Sequence, residues 1–258
     1  MIEVNKLRKE FTLSKTQRKE LNTTDRTALA VDDVSFVCEP GRIFSILGPN
    51  GAGKTTTMRM LSTIFKPTSG TIKIAGIDVS EHPQEARKKI GFLTGSTGLY
   101  ARLTPNELIQ YFADLYSIPK DVCLERREKL YTLLDMHEFQ SKRIGKLSTG
   151  MKQKVSICRT MIHDPEVVVF DEPTSGLDVI TAENIIQLIR DCKSEGKTVI
   201  FSSHIMSEVD LLCDDIAIIH KGKLLHNGTM NDFRANMQAP NLTAEFIRIV
   251  NATKLEKV

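Results

Sequence analysis

The chain has 258 residues, 41% of them hydrophobic and 26% charged, with a formal net charge of +3. Those proportions fit a globular α/β protein, either one large domain or a core with an inserted subdomain, and the near-balanced charge gives no footprint for nucleic acid as a partner. No stretch approaches the roughly 18 apolar residues that cross a bilayer, and residues 1–6 lack the apolar core of a signal peptide.

Residues 2–7 predict an opening strand, and the polar run 14–27 an exposed loop. Residues 31–37 and 43–47 read as strands separated by Pro40 and Gly41. The next eight residues, Gly48, Pro49, Asn50, Gly51, Ala52, Gly53, Lys54 and Thr55, fit the phosphate-loop pattern G-x-x-x-x-G-K-[ST] in full. Thr56 opens a helix-like stretch to residue 64 with Met58, Leu61 and Ile64 apolar. A strand, this loop and a helix in that order are the context in which the motif binds phosphate. Glycines let successive backbone N–H groups converge on one anion, and the helix N-terminus adds its positive dipole end. Lys54 is placed for the β- and γ-phosphates of a nucleotide, and the Thr55 hydroxyl for Mg²⁺.

Residues 71–75 predict a further short strand. Residues 104–144 change character. Thr104, Pro105 and Glu107 form a capping box with proline at the first helical position, and Leu108, Tyr111, Phe112, Leu115 and Tyr116 follow with helical spacing. Pro119 closes that helix and 123–136 predicts a second. Strand and helix then alternate again, with 167–170, 199–202 and 216–219 apolar without alternation, as parallel strands buried on both faces should be. The helix 181–193 lies between the first two. Five cysteines, Cys38, Cys123, Cys158, Cys192 and Cys213, are odd in number and show no C-x-x-C spacing, so a metal or disulfide framework is not expected. A reduced compartment follows: the cytosol, or a membrane surface to which something else holds the chain.

The run 167–170 ends in Asp171 and Glu172. Ligands of parallel sheets bind beyond the C-terminal strand ends, which places Asp171 for the Mg²⁺ shell and Glu172 for the attacking water. Lys54 and Asp171 stand far apart in sequence, which leaves room for the helical insert and argues against a small GTPase. Between them, Leu147, Ser148, Thr149, Gly150 and Met151 open a helix whose apolar stripe runs through Val155, Cys158 and Ile162, a second helix start suited to an anion.

Together these motifs resemble the ATP-binding subunits of ABC transporters over nearly the whole chain. The resemblance implies Walker A at 48–55, the signature at 147–151, Walker B at 167–171 with Glu172 as catalytic glutamate, a D-loop at 175–178 ending in Asp178, and His204 as switch histidine toward the γ-phosphate. Phe11 falls where the family stacks an aromatic on adenine, although an aromatic in a strand is also a plain surface residue. It implies ATP and Mg²⁺ as ligands, a head-to-tail dimer in which Ser148 and Gly150 reach the partner's nucleotide, and a separate membrane permease bound at the cytoplasmic face of a bacterial cell membrane.

The implied fold is a parallel α/β P-loop core with an antiparallel β subdomain and an inserted helical subdomain. The corresponding divisions are 1–98 for the first half of the core, 99–146 for the helical part, 147–225 for the second half and 226–258 for a C-terminal extension. One position departs from the family: Gly95 stands where a glutamine normally contacts Mg²⁺ and water. Ser96, a backbone carbonyl or an additional water would have to replace it. The stretches 92–104, 39–44 and 148–154 are most similar to the ATPase subunits of bacterial sodium-efflux transporters, with relatives that serve drug and lipid exporters. A soluble ABC ATPase of translation or repair is one other class, whose usual second P-loop, coiled-coil or zinc insertion is not seen in this sequence; a P-loop kinase is another, and would lack the signature at 147–153 and His204.

Overall fold

The computed structural model describes residues 1–20, 22–94 and 98–255. In chain order the elements are β1 (Ile2–Thr12), α1 (Lys15–Glu20), β2 (Thr27–Cys38), β3 (Ile43–Leu47), α2 (Lys54–Leu61), β4 (Ser69–Ile74), β5 (Ile77–Asp78), α3 (Pro83–Lys89), β6 (Ile90–Thr94), α4 (Pro105–Leu115) and α5 (Lys120–Leu133). There follow α6 (Thr149–Met161), β7 (Val167–Asp171), α7 (Val179–Ser194), β8 (Thr198–Ser202), α8 (Met206–Leu212), β9 (Asp215–His220), β10 (Lys223–Thr229), α9 (Met230–Ala235) and α10 (Leu242–Leu255).

Two sheets organise the chain. The larger runs β10-β9-β3-β8-β7-β6; its last five strands are parallel, and β10 returns antiparallel along the β9 edge. β3, β7 and β8 are buried at every residue, which is why their sequences are mainly apolar, with Ser45 inside β3, Thr198 and Ser202 at the two ends of β8, and Asp171 at the end of β7. The smaller sheet, β2-β1-β4-β5, is antiparallel throughout. β1 is longer than the predicted 2–7 because it pairs with β2 and β4 through register shifts, one of them at Lys6, whose φ is 47°. Stacked Phe36 and Phe44, with ring centroids 5.0 Å apart, join the two sheets.

α4 and α5 form a helical block between β6 and α6. The capping box at Thr104 and Glu107 is made in full. Leu108, Ile109, Ala113 and Tyr131 are buried in one core with Val155 and Cys158 of α6. The expected loop at 14–27 instead contains α1, which buries no residue. Predicted helix starts move by a few residues because the caps lie earlier, at Gly53, Pro119 and Asp178. All five cysteines are free and four are buried. Among the described residues no helix is long and apolar enough to cross a membrane.

The C-terminal α10 is held by a buried carboxylate. Glu245 accepts from the N–H groups of Gln238 and Ala239 and from the guanidinium of Arg248. The Arg248 hydrogen bonds foremost hold its pKa down to about 2. A pKa lowered by folding stabilises above the unfolded value, near 4.3, and that stabilisation is lost as pH falls toward the folded value. Hydrogen exchange of the α10 amides is therefore expected to accelerate, relative to the central strands, as pH falls from about 4.5 to 2. Protection that is flat across that window would show that Glu245 does not anchor the helix.

Candidate nucleotide site

The phosphate loop spans the gap between β3 and α2. Two of its glycines are sterically required. A Cβ on Gly48 would lie 2.3 Å from the Ile219 carbonyl oxygen, and one on Gly53, at φ +110°, 2.6 Å from that of Ala30. The loop therefore threads between β9 and β2 along a path that only glycine follows, leaving a concave backbone suited to phosphate. Pro49, Asn50 and Gly51 form its outer rim, Ala52 is buried beneath it, and Thr56 follows in the first turn of α2. Lys54 is buried and donates from Nζ to the carbonyl oxygens of Gly48, at 2.6 Å, and Pro49, at 3.2 Å. Burial lowers its pKa, against the pull of Glu172 and Asp171. The ammonium thus rests on loop carbonyls inside the cradle that a phosphate would fill.

Parallel register builds the rest. Ser202 pairs with Ile46 on one side and Asp171 on the other, so three strand ends stand in a row. The Ser202 hydroxyl donates to Asp171 Oδ1 at 2.7 Å, and the Thr55 hydroxyl to the same oxygen at 3.3 Å. Thr55 and Asp171 offer adjacent hard oxygens, a donor set that fits Mg²⁺ completed by phosphate and water. Glu172 has φ 51°, which is uncommon and costly for a residue with a side chain. Its N–H is held by the Ser202 carbonyl and hydroxyl oxygens, both at 3.1 Å. His204 Nδ1 lies 3.5 Å from Glu172 Oε2. A cavity of about 470 Å³ opens beside Thr55, Asp171 and Glu172 and is walled on its far side by Thr149 and Gln153.

Lys54, Thr55, Asp171, Glu172 and His204 are therefore brought to one sheet edge. Ser148, Gly150 and Asp178 form a second group. Ser148 caps α6 by accepting from Met151 N–H at 3.2 Å. A Cβ on Gly150 would lie 3.8 Å from Asp178 Oδ2. Asp178 caps α7 through Thr181, whose N–H and hydroxyl hold its carboxyl below the usual range. Phe11 is part of neither group. It sits at the end of β1, edge-on to Phe65 at 5.5 Å, with the Lys9 ammonium 5.0 Å from its ring. Gly95 and Ser96 lie outside the described residues.

Sequence reasoning missed Ser202 and Gln153. Ser202 ends an apolar strand as Asp171 does, so the same strand-end signal was present. Gln153 donates to the Pro173 carbonyl at 3.2 Å, a contact across the fold that no local pattern announces.

A glycine-rich loop between a buried parallel strand and a helix, with a hydroxyl and a carboxylate converging beside it, defines a P-loop nucleoside triphosphatase. The sequence description of ABC transporters matches residues 31–175. The chain is 41% identical to the ABC transporter ATP-binding protein NatA of Bacillus subtilis over 84% of its own length and 89% of that protein's. It is 39% identical to the bacitracin transport ATP-binding protein BcrA of Bacillus licheniformis over 80% of its own length and 68% of that chain. A solved ATP-binding subunit of an ABC transporter superposes with a TM-score of 0.84 at 25% identity, covering 96% of this chain and 99% of the other. A dimeric ATP-binding cassette solved with ADP and phosphate shares the fold, at 23% identity and a TM-score of 0.77 over 89% of this chain and 99% of its own. The chain belongs to the ABC transporter family, as an ATP-binding subunit with ATPase activity.

Replacing Lys54 with alanine removes the ammonium from the cradle. ATP affinity is expected to fall roughly 10- to 100-fold, the size of a lost charge-assisted hydrogen bond. Titration with a fluorescent ATP analogue reads this directly, and unchanged affinity would place the phosphates elsewhere.

Proposed function

We propose that the chain hydrolyses ATP as one of two identical subunits and thereby drives a separate membrane permease at the cytoplasmic face of the cell membrane, with Na⁺ efflux as the transport served. The reading is carried by the convergence of Thr55, Asp171, Glu172 and His204 beside the phosphate loop. The loop N–H groups and Lys54 bind the β- and γ-phosphates, and residues 48–56 envelop them. Phe11 stacks on adenine. Thr55 and Asp171 would hold Mg²⁺, which would supply positive charge against the developing phosphate charge.

Glu172 orients a water and takes its proton as the water oxygen bonds to the γ-phosphorus. The bond from that phosphorus to the β–γ bridging oxygen breaks, leaving ADP and phosphate. His204, against Glu172, contacts the γ-phosphate. Ser148 and Gly150 address the nucleotide of the partner subunit, and Asp178 lies beside them at the same boundary. The helical segment 99–146 contacts the permease.

Sodium is supported by the likeness of segments 39–44, 92–104 and 148–154 to sodium-efflux ATPases and by the long match to NatA. The 39% identity to a bacitracin transport protein favours a second reading, an antibiotic exporter. Fold cannot choose between them, because cargo is read by the permease.

Substituting Glu172→Gln is expected to keep ATP binding, abolish most turnover and trap an ATP-bound dimer on size exclusion. Adding Ser148→Arg should return that dimer to monomer while leaving ATP bound. Wild-type turnover of Glu172→Gln would remove the assigned base, and persistence of the dimer with Ser148→Arg would remove the trans-acting signature.

Cells lacking the chain are expected to accumulate Na⁺ and to recover with the wild type but not with Glu172→Gln. Equal intracellular Na⁺ in all three, with the permease present, would discard sodium and leave the ATPase standing. Bacitracin sensitivity of the same strains tests the second reading.

A further inference from the structure

Glu208 lies in the first turn of α8 and is 9% exposed. One of its oxygens, Oε2, accepts two hydroxyl hydrogen bonds, from Thr174 at 3.0 Å and from Ser203 at 2.9 Å. Thr174 follows Glu172 by two residues, and Ser203 precedes His204 by one. Both hydroxyl-bearing residues are buried, and the Ser203 oxygen also accepts from Ile205 N–H at 3.0 Å. The two loops leaving β7 and β8 are thereby tied to a single oxygen. Among the described residues no cation forms an ion pair with this carboxylate. Burying a carboxylate without a cation is costly, and an apolar residue would pack there without that cost.

The loop after Glu172 has other anchors, but they do a different job. Ser202, the last residue of β8, holds the Glu172 N–H at the end of that strand, before the loop that carries His204 begins. Gln153 holds the Pro173 carbonyl and so ties the segment to α6. Glu208 touches both loops, and the two side chains it brackets stand 3.5 Å apart.

We propose that Glu208 is a positioning residue for hydrolysis, acting through Thr174 and Ser203 to set the spacing of Glu172 and His204. This rests on the reading of those two residues given above. The distinguishing signature is a loss in the chemical step without a loss in nucleotide binding.

The test uses the full chain with Glu208→Leu, Glu208→Gln, Thr174→Val and Ser203→Ala, each assayed for ATPase rate, ATP-analogue affinity and melting temperature. Glu208→Leu is expected to lower kcat by about 10- to 100-fold, the cost of displacing a reacting group by about 1 Å, with affinity within about twofold. Glu208→Gln keeps an acceptor oxygen for both hydroxyls and should retain most of kcat. Thr174→Val and Ser203→Ala each cut one tie and should fall between; they carry the test if Glu208→Leu does not fold. On a Glu172→Gln background Glu208→Leu should add no further loss, because its effect passes through Glu172. Wild-type kcat in Glu208→Leu or in both single-tie variants, with Glu172→Gln inactive, would overturn this proposal alone. Equal falls in kcat and affinity would also overturn it. Wild-type turnover in Glu172→Gln would overturn the parent assignment first.

Discussion

Five parallel strands end at one edge of a sheet, and everything chemical in this chain depends on that alignment. In a parallel pair the register is set by evenly spaced backbone hydrogen bonds, so residues at matched positions stand side by side without help from their side chains. Ile46, Ser202 and Asp171 occupy such matched positions on β3, β8 and β7. One strand end leads into the phosphate loop, the next carries a hydroxyl, and the third carries a carboxylate. The hydroxyl of Ser202 and that of Thr55 then share one oxygen of Asp171. Register alone brings Ser202 to Asp171, and the glycine-shaped phosphate loop delivers Thr55 to the same oxygen. A slip of register in β7 would move the carboxylate a full residue along its strand and turn it to the other face.

The site holds its strained and buried groups in place by contacts among its own residues. Glu172 sits at a backbone angle disfavoured for its type, and a forked hydrogen bond to Ser202 keeps it there. Lys54 is buried with its charge turned onto two carbonyls. Those carbonyls satisfy the ammonium only as neutral dipoles, and a phosphate offers it a full opposite charge. The exchange costs little reorganisation because the lysine already lies at the mouth of its own cradle.

Much of this was legible in the sequence, for reasons that can be given residue by residue. The eight-residue loop from Gly48 to Thr55 declares itself because its steric and charge demands fall within a few consecutive positions. The strand ending at Asp171 and Glu172 is legible because burial on both faces forces an apolar run, and a charge at its end has only the edge to occupy. The capping box at Thr104 is local in the same sense. Illegible were the contacts that depend on where distant elements come to rest. The amide of Gln153 meets the Pro173 carbonyl from another element, a contact set by tertiary packing and not by any local pattern. The short helix after β1 escaped notice because it buries nothing and so leaves no apolar period. The edge strand β10 and helices α9 and α10 are likewise set by packing onto β9 and α8 more than by their own patterns.

The central position of β3 has a consequence for how the chain is made. Ile43 pairs with Val199, and Leu47 with Ile218, so the strand that launches the phosphate loop finds no neighbour in its own half of the sequence. On the ribosome, β3 emerges early and waits, apolar and unpaired, until β8 and β9 have been synthesised. Contacts of such long reach are slow to close, whereas the helical block between β6 and β7 is built from near neighbours and can form as it appears. Assembly of the nucleotide cradle is therefore a late event, completed when the last parallel strands slot in on either side of β3.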